Sequence, residues 1–358
     1  MDSDFQGAID RFQSGTHALI DLDAYERNIG VLLSIAGERV DLMAVVKADA
    51  YGHGAVECGR AAVAAGARML GVARIDEALY LRQSGVTAPI VLIGPPAIAE
   101  IPATLQHDIT LAIGSRQSVD GLLAGMGQGL RARVHVKVDT GMNRYGFRPE
   151  DVTAVVEELA SNDRITVEGV FTHFSSADER DPAPTERQIE RFWASVAGLE
   201  ARGLRPEYVH MANSAAILTG HFEGTNLVRS GIATYGLSPS DEVIVDERFQ
   251  PVLTLRSIVV RRGTLPVGEG VSYGRTYRAA ATEQIAAVPV GYADGLPRRL
   301  RNQGWFVVRG ERTPIRGSVC MDQTVVSVPE DTVEGDIVRV IGDGSLGEMT
   351  FDDIASMI

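Results

Sequence analysis

Cysteine, tryptophan and positive charge are all scarce in this chain of 358 residues. The two cysteines, Cys58 and Cys320, build neither a disulfide framework nor a zinc site by themselves, so no metal is expected. Basic residues number 34 against 47 acidic ones, a net charge of -13. That balance excludes a general nucleic-acid binder, which needs a basic face. A small anionic substrate stays open, because local charge decides it. No run approaches the roughly 20 apolar residues of a membrane helix, so no membrane partner is expected. Residues 1–15 are polar and acidic. They lack the basic start and apolar centre of a signal peptide, and read as an N-terminal extension of a cytoplasmic protein. Low-complexity segments and sequence repeats are absent.

The hydrophobic content of 45% supports one large domain and a smaller one. Strand-like apolar runs at 41–47, 69–73, 90–94, 109–113, 132–139, 166–173, 208–212 and 227–233 alternate with stretches of helical spacing, such as Pro149 to Ala160 and Thr185 to Ala201. Eight alternating units predict a (β/α)8 barrel of the TIM type, in the α/β class. A further strand-helix unit, Ala18 to Ile35, precedes them. After Gly236 the texture changes. Leu237 to Phe249 reads as a linker. Beyond it come short β-branched runs, Leu253 to Arg261, Gln284 to Val290, Trp305 to Val308, Thr324 to Val328 and Asp336 to Ile341, which predict a mostly antiparallel β domain. The expected domains are 16–243 and 244–358.

Barrel enzymes place their chemistry at the C-terminal ends of the strands, and the conspicuous residues sit there. The first run ends in Ala44-Val45-Val46-Lys47-Ala48-Asp49-Ala50-Tyr51-Gly52-His53-Gly54. A lysine at the end of a buried strand is costly unless its amine is neutralised or bonded. One solution is a covalent link to the aldehyde of pyridoxal phosphate (PLP), with Tyr51 reaching a phosphate oxygen; an ordinary surface lysine is the other. The fifth run carries Lys137, Val138-Asp139-Thr140-Gly141-Met142-Asn143-Arg144 and Tyr145-Gly146-Phe147. Arg144 there suits a carboxylate or phenolate clamp, or an Asp–Arg pair of a plain turn. The sixth ends at Thr172-His173, the seventh in His210-Met211-Ala212-Asn213-Ser214, and the eighth holds Val228-Arg229-Ser230-Gly231-Ile232. The Ser214 hydroxyl and the backbone N–H groups near Gly231 and Ile232 suit a phosphate. Gly231 lets the backbone come close. The second domain adds Val271-Ser272-Tyr273-Gly274-Arg275, Gly291-Tyr292-Ala293-Asp294-Gly295 and Cys320-Met321-Asp322.

In order and spacing these strings, from about residue 16 to the C-terminus, resemble the alanine racemase family. The resemblance implies PLP-dependent interconversion of L- and D-alanine by two bases, supplying D-alanine for peptidoglycan. Lys47 carries PLP and is one base. The other is Tyr273, supplied across the interface of a homodimer that shares its active sites. Arg144 bonds the substrate carboxylate side and the cofactor phenolic region, and a carbamylated Lys137 holds it. His173 belongs to a network behind the tyrosine, and Arg229 faces the pyridine nitrogen. An arginine stays protonated at working pH, so that nitrogen remains neutral and the ring is a weaker electron sink. Tyr51, Asn213, Ser214, Gly231 and Ile232 complete the cofactor set. Tyr292 and Asp322 line the substrate entrance, and the Met321 N–H touches the carboxylate. Two departures are visible. Family members run on past the equivalent of Ile358, through a tyrosine that bonds the phosphate, so this chain appears without the usual tail. Ser318 also stands where the family often has arginine. The alternatives are a PLP-binding barrel without turnover, a broader amino-acid (serine) racemase, and a decarboxylase of the same barrel type.

Overall fold

Each of the eight apolar runs becomes a parallel strand in the computed structural model, which describes residues 15–127 and 129–358. In chain order the strands are β1 (His17–Ile20), then β2 (Asp41–Val45), β3 (Met69–Val72), β4 (Ile90–Leu92), β5 (Thr110–Ile113), β6 (Ala132–Lys137), β7 (Ile165–Phe171), β8 (Tyr208–His210) and β9 (Leu227–Ser230). The sheet order is β8-β7-β6-β5-β4-β3-β2-β9. The ring closes between β8 and β9. There the Arg229 N–H donates to Ala212 O at 3.1 Å, and the Val209 N–H donates to Asn226 Oδ1 at 2.8 Å. The result is the expected (β/α)8 barrel. Leu42, Leu70, Ile90, Leu111, Val134, Val170, Val209 and Val228 are fully buried. Parallel strands covered on both faces read as continuous apolar runs rather than as alternation.

The helices follow their spacing. Helix Val152–Ala160 buries Val152, Val155, Val156 and Leu159, one stripe at helical period. It starts later than expected because Pro149–Asp151 forms a 3-10 turn first. Helix Ala183–Glu200 occupies the other expected stretch. Every barrel strand but β5 ends earlier than its apolar run: among them β2 stops at Val45, β7 at Phe171, β8 at His210 and β9 at Ser230. Lys47 and His173 therefore sit on turns beyond the strands.

The barrel unit is Leu22–Gln250, and a second unit comprises residues 15–21 together with Pro251–Ile358. The expected N-terminal extension, 1–15, lies outside the described residues apart from Gly15. Strand β1, expected with the barrel, pairs instead with β10 (Leu253–Ile258) in antiparallel register, Ala18 opposite Leu255. A four-residue strand carries no mark of its partner. The remaining strands are β11 (Arg261–Leu265), β12 (Gly270–Val271), β13 (Tyr277–Arg278), β14 (Glu283–Val288), β15 (Trp305–Val308), β16 (Glu311–Pro314), β17 (Thr324–Ser327) and β18 (Ile337–Ile341). They form antiparallel sheets in the orders β1-β10-β18-β15-β16, β11-β14-β17 and β12-β13. The expected run Leu253 to Arg261 splits between two of these sheets, because Val259 turns inward, fully buried, with its N–H donating to Asp336 O. Val259, Val288, Phe306, Val308, Val326, Val338 and Met349 make this unit's core. Among the described residues, no helix is long and apolar enough to cross a membrane.

Asn28 fastens the end of the barrel unit. It is fully buried, and its amide nitrogen donates to Thr234 O at 3.1 Å and Gln250 O at 2.8 Å. Its oxygen accepts the Gln250 N–H at 2.9 Å. Asn28→Ala removes all three bonds, and denaturant unfolding should show a loss of about 2–3 kcal/mol.

Candidate active site

Lys47 opens a backbone turn of unusual hand. Ala48, Asp49, Ala50 and Tyr51 all lie in the left-handed region, with φ between 51° and 56°. None is glycine, and each such residue costs about 1–2 kcal/mol. Neighbouring groups hold the turn in place. Glu77, at the start of helix Ile75–Gln83, accepts the Ala48 N–H at 2.7 Å on one carboxylate oxygen. Its other oxygen accepts the Ala73 and Arg74 N–H groups at 2.8 and 3.1 Å. Asp49 accepts the Ala55 N–H at 2.7 Å, and His53 Nδ1 lies 3.0 Å from Ala50 O. The turn sets Lys47 Nζ 5.8 Å from the centre of the Tyr51 ring. Tyr51 packs on Tyr235, whose hydroxyl donates to Val45 O at 3.1 Å.

Tyr51 meets the end of β9. A Cβ on Gly231 would overlap the Tyr51 hydroxyl, so this close approach requires glycine. Ser214 Oγ accepts the Gly231 N–H at 2.9 Å and the Ala233 N–H at 3.3 Å, with Ile232 between them. Asn213 caps the short helix Ser214–Leu218 through its side-chain oxygen, which accepts the Ala216 N–H at 3.0 Å. A tyrosine hydroxyl, a serine hydroxyl and inward-facing amides thus converge on a glycine, which suits an oxyanion group such as a phosphate.

Arg229 is 3% exposed. Its Nη1 donates to His210 Nδ1 at 2.9 Å. Nη2 donates to Thr172 O at 2.8 Å, Met211 O at 3.1 Å and His173 Nδ1 at 3.1 Å. Burial lowers the guanidinium to about 10, still far above neutrality. His173 is held well below its ordinary value by burial first, then by the charges of Arg229, Lys137, Arg144 and Lys47. The four cations named in the strings therefore bear on one imidazole. Lys137 is 1% exposed, and its Nζ has no hydrogen-bond partner. It lies 4.6 Å from the centre of the Tyr145 ring. Burial, followed by the charge of Arg229, brings its amine down to about 8. Arg144 is exposed on the adjoining loop, which Asp139 shapes by accepting the Gly141 and Asn143 N–H groups. The arrangement suits an anionic ligand.

In the second unit three separate strings come together. Gly291 has no room for a Cβ against the Cys320 and Met321 carbonyls. Accordingly the Tyr292 N–H donates to Cys320 O at 3.0 Å and the Ala293 N–H to Met321 O at 2.9 Å. Ser318 Oγ donates to Tyr273 O at 2.9 Å. Tyr273 is 79% exposed, and Tyr292, Met321 and Asp322 are also exposed.

Several residues of this architecture carry no role in the sequence reading: Glu77, His135, Glu168 and Tyr235, and His210, which stands in a quoted string. Their partners lie far along the chain, and a lone glutamate or histidine announces none. Glu77→Ala frees three amides. It should cost about 1–3 kcal/mol, and hydrogen exchange should accelerate at residues 47–54 more than elsewhere in the barrel. Unchanged protection there would show that Glu77 does not hold the turn.

The comparisons agree with this geometry. Residues 20–239 match the family model "Alanine racemase, N-terminal domain", and residues 252–358 match "Alanine racemase, C-terminal domain". The alanine racemase of Symbiobacterium thermophilum is 43% identical over 96% of this chain and 91% of its own. The crystal structure of alanine racemase from E. faecalis superposes with a TM-score of 0.91 at 38% identity, covering 97% of this chain and 93% of that one. Alanine racemase from Bacillus anthracis, solved with bound L-Ala-P, superposes at 0.89 with 36% identity, covering 97% and 90%. With both family models matched and both units in place, the chain belongs to the alanine racemase family.

Proposed function

We propose that this chain interconverts L-alanine and D-alanine using PLP seated at Lys47, as one subunit of a homodimer with shared active sites. In that role it supplies D-alanine for peptidoglycan in the cytoplasm. The observation that carries the proposal is the meeting, at one end of the barrel, of the turn that Lys47 opens with the Gly231 cradle through Tyr51, beside buried Arg229 bonded to His173.

The residues present fit PLP. Tyr51, Ser214 and the Ile232 amide offer donors to a phosphate where Gly231 leaves room, the Gly231 N–H being used to orient the Ser214 hydroxyl, with Asn213 holding the adjoining helix. The described bonds of Arg229 use its two terminal nitrogens. Arg229 would serve the ring nitrogen as a donor that does not give up its proton. PLP supplies the electron sink that allows the Cα–H bond of alanine to break. Lys47 moves the proton on one face of Cα. The exposed Tyr273 of the partner subunit moves it on the other, which is what inversion at one carbon requires. Arg144 and the Met321 N–H orient the alanine carboxylate, and Tyr292 and Asp322 line the approach.

One experiment tests the bases and the dimer together. Lys47→Ala and Tyr273→Phe should each abolish racemisation of both enantiomers of alanine. Mixing them with subunit exchange should restore about one quarter of the original activity. Half the dimers are then mixed, and each of those has one intact site. Recovery fails if the tyrosine acts within its own chain. Serine assayed alongside gives the substrate breadth.

Lys137 fits carbamylation. An unpaired buried ammonium is costly, and an amine brought to about 8 is partly neutral near physiological pH. The neutral amine adds CO2 and releases one proton, and the resulting carbamate bonds Arg144. Because burial has depressed the pKa, protonation wins below about 8 and the carbamate is favoured above it. With isotope-labelled bicarbonate, a carbamate carbon signal should appear above that pH and be absent from Lys137→Ala. Activity should fall in bicarbonate-free buffer and return on addition. No signal and no bicarbonate dependence would mean the lysine stays bare.

A further inference from the structure

The hydrogen bonds of Arg229 continue away from the site. His210 Nε2 lies 2.9 Å from His135 Nδ1, and His135 Nε2 lies 3.3 Å from Glu168 Oε2. Both histidines are fully buried. We propose that Arg229, His210, His135 and Glu168 form a one-way relay through the barrel core, in which Glu168 is a positioning residue that holds Arg229 in place. The inference rests on Arg229 serving the cofactor ring, but the relay belongs to the chain itself.

Donor and acceptor chemistry fixes its direction. A guanidinium only donates, so His210 Nδ1 must accept and carry no proton. The proton of His210 is then on Nε2 and is donated to His135 Nδ1. That nitrogen is bare in turn, so the proton of His135 is on Nε2 and goes to Glu168. An ionised carboxylate only accepts. A donor-only group closes one end and an acceptor-only group the other, so neither imidazole can change tautomer without setting two donors against each other. Burial lowers the pKa of both rings, well below the ordinary value at His210, and holds them neutral. Burial works against the Glu168 charge, but the His135 bond and the Arg133 charge leave its carboxyl below the ordinary value.

Two features of β7 are built around this relay. The register against β6 pairs Val134 with Val167 and then His135 with Gly169, so Glu168 is an extra, bulged residue. Bulges are rare between parallel strands, and they re-aim a side chain. A Cβ on Gly169 would come within 2.7 Å of the His135 ring, so only glycine leaves the imidazole its place. The rings are also held by stacking: Phe171 lies 4.9 Å from His210 at 7°.

The test begins with the protein free of PLP and carrying isotopically labelled histidine. Long-range proton–nitrogen spectra should show His135 and His210 neutral, with the proton on Nε2, wherever the protein stays folded. A proton on Nδ1 of either ring, or an imidazolium at neutral pH, overturns the relay. Glu168→Gln keeps an acceptor oxygen and should keep both tautomers and near-normal turnover. Glu168→Leu removes it. The His135 Nε2–H should then lose its acceptor, with its proton signal moving upfield and exchanging faster while Arg229 still sets both tautomers, and kcat should fall by roughly 10- to 100-fold with KM for alanine little changed, as when an aligned group is misplaced. A folded leucine variant with an unchanged His135 Nε2–H signal and unchanged kcat overturns the proposal. If that variant does not fold, the original chain and the glutamine variant decide it. Loss of both tautomers in the folded glutamine variant would also count against it. Absence of racemisation by the unmodified protein would refute the racemase reading and leave the tautomer result standing.

Discussion

A buried cation that can donate but never accept organises this candidate site. Arg229 turns every neighbour into an acceptor. The carbonyls of Thr172 and Met211, just beyond β7 and β8, point inward to meet it, and two histidines present bare nitrogens. Its charge also helps to push the Lys137 amine down. Residues that look unrelated in sequence thus have their protonation states set by burial and, after it, by one guanidinium. A lysine there would offer three donors on a flexible stem, without the planar fork that serves several acceptors at once.

The barrel is legible in the sequence for a physical reason. Strands covered on both faces must be apolar throughout, so eight short runs between helical stretches leave few alternatives. The strand-end strings are legible too, because lysine, arginine and histidine are rare at such positions unless something uses them. The ends of strands are less legible. Val46 is as apolar as Val45, yet the chain leaves β2 between them, because the following four residues are wound left-handed. Ala-Asp-Ala-Tyr contains no glycine to signal this. The signal lies in Glu77, which becomes visible only once helix Ile75–Gln83 has packed.

Other features are hidden for the same reason. Nothing in His17–Ile20 names β10 as its partner, and nothing in Val167-Glu168-Gly169 announces a bulge until His135 lies alongside. The second unit offers the converse case. Its three strings are weak singly, but Gly291 ties Tyr292 to the Cys320–Met321 backbone and Ser318 ties that loop to Tyr273. The resemblance to the alanine racemase family implied that these strings belong together, and the backbone bonds supply the physical reason.

The left-handed turn after Lys47 has a consequence for the order of folding. Four residues in that region cost roughly 4–8 kcal/mol in isolation, more than local bonds return. An isolated β2 segment therefore relaxes to ordinary backbone and aims its lysine elsewhere. The turn becomes stable only when the Glu77 carboxylate arrives from the following β/α unit. The Lys47 amine is thus among the last groups to reach its final geometry, and partly folded chains leave it misdirected.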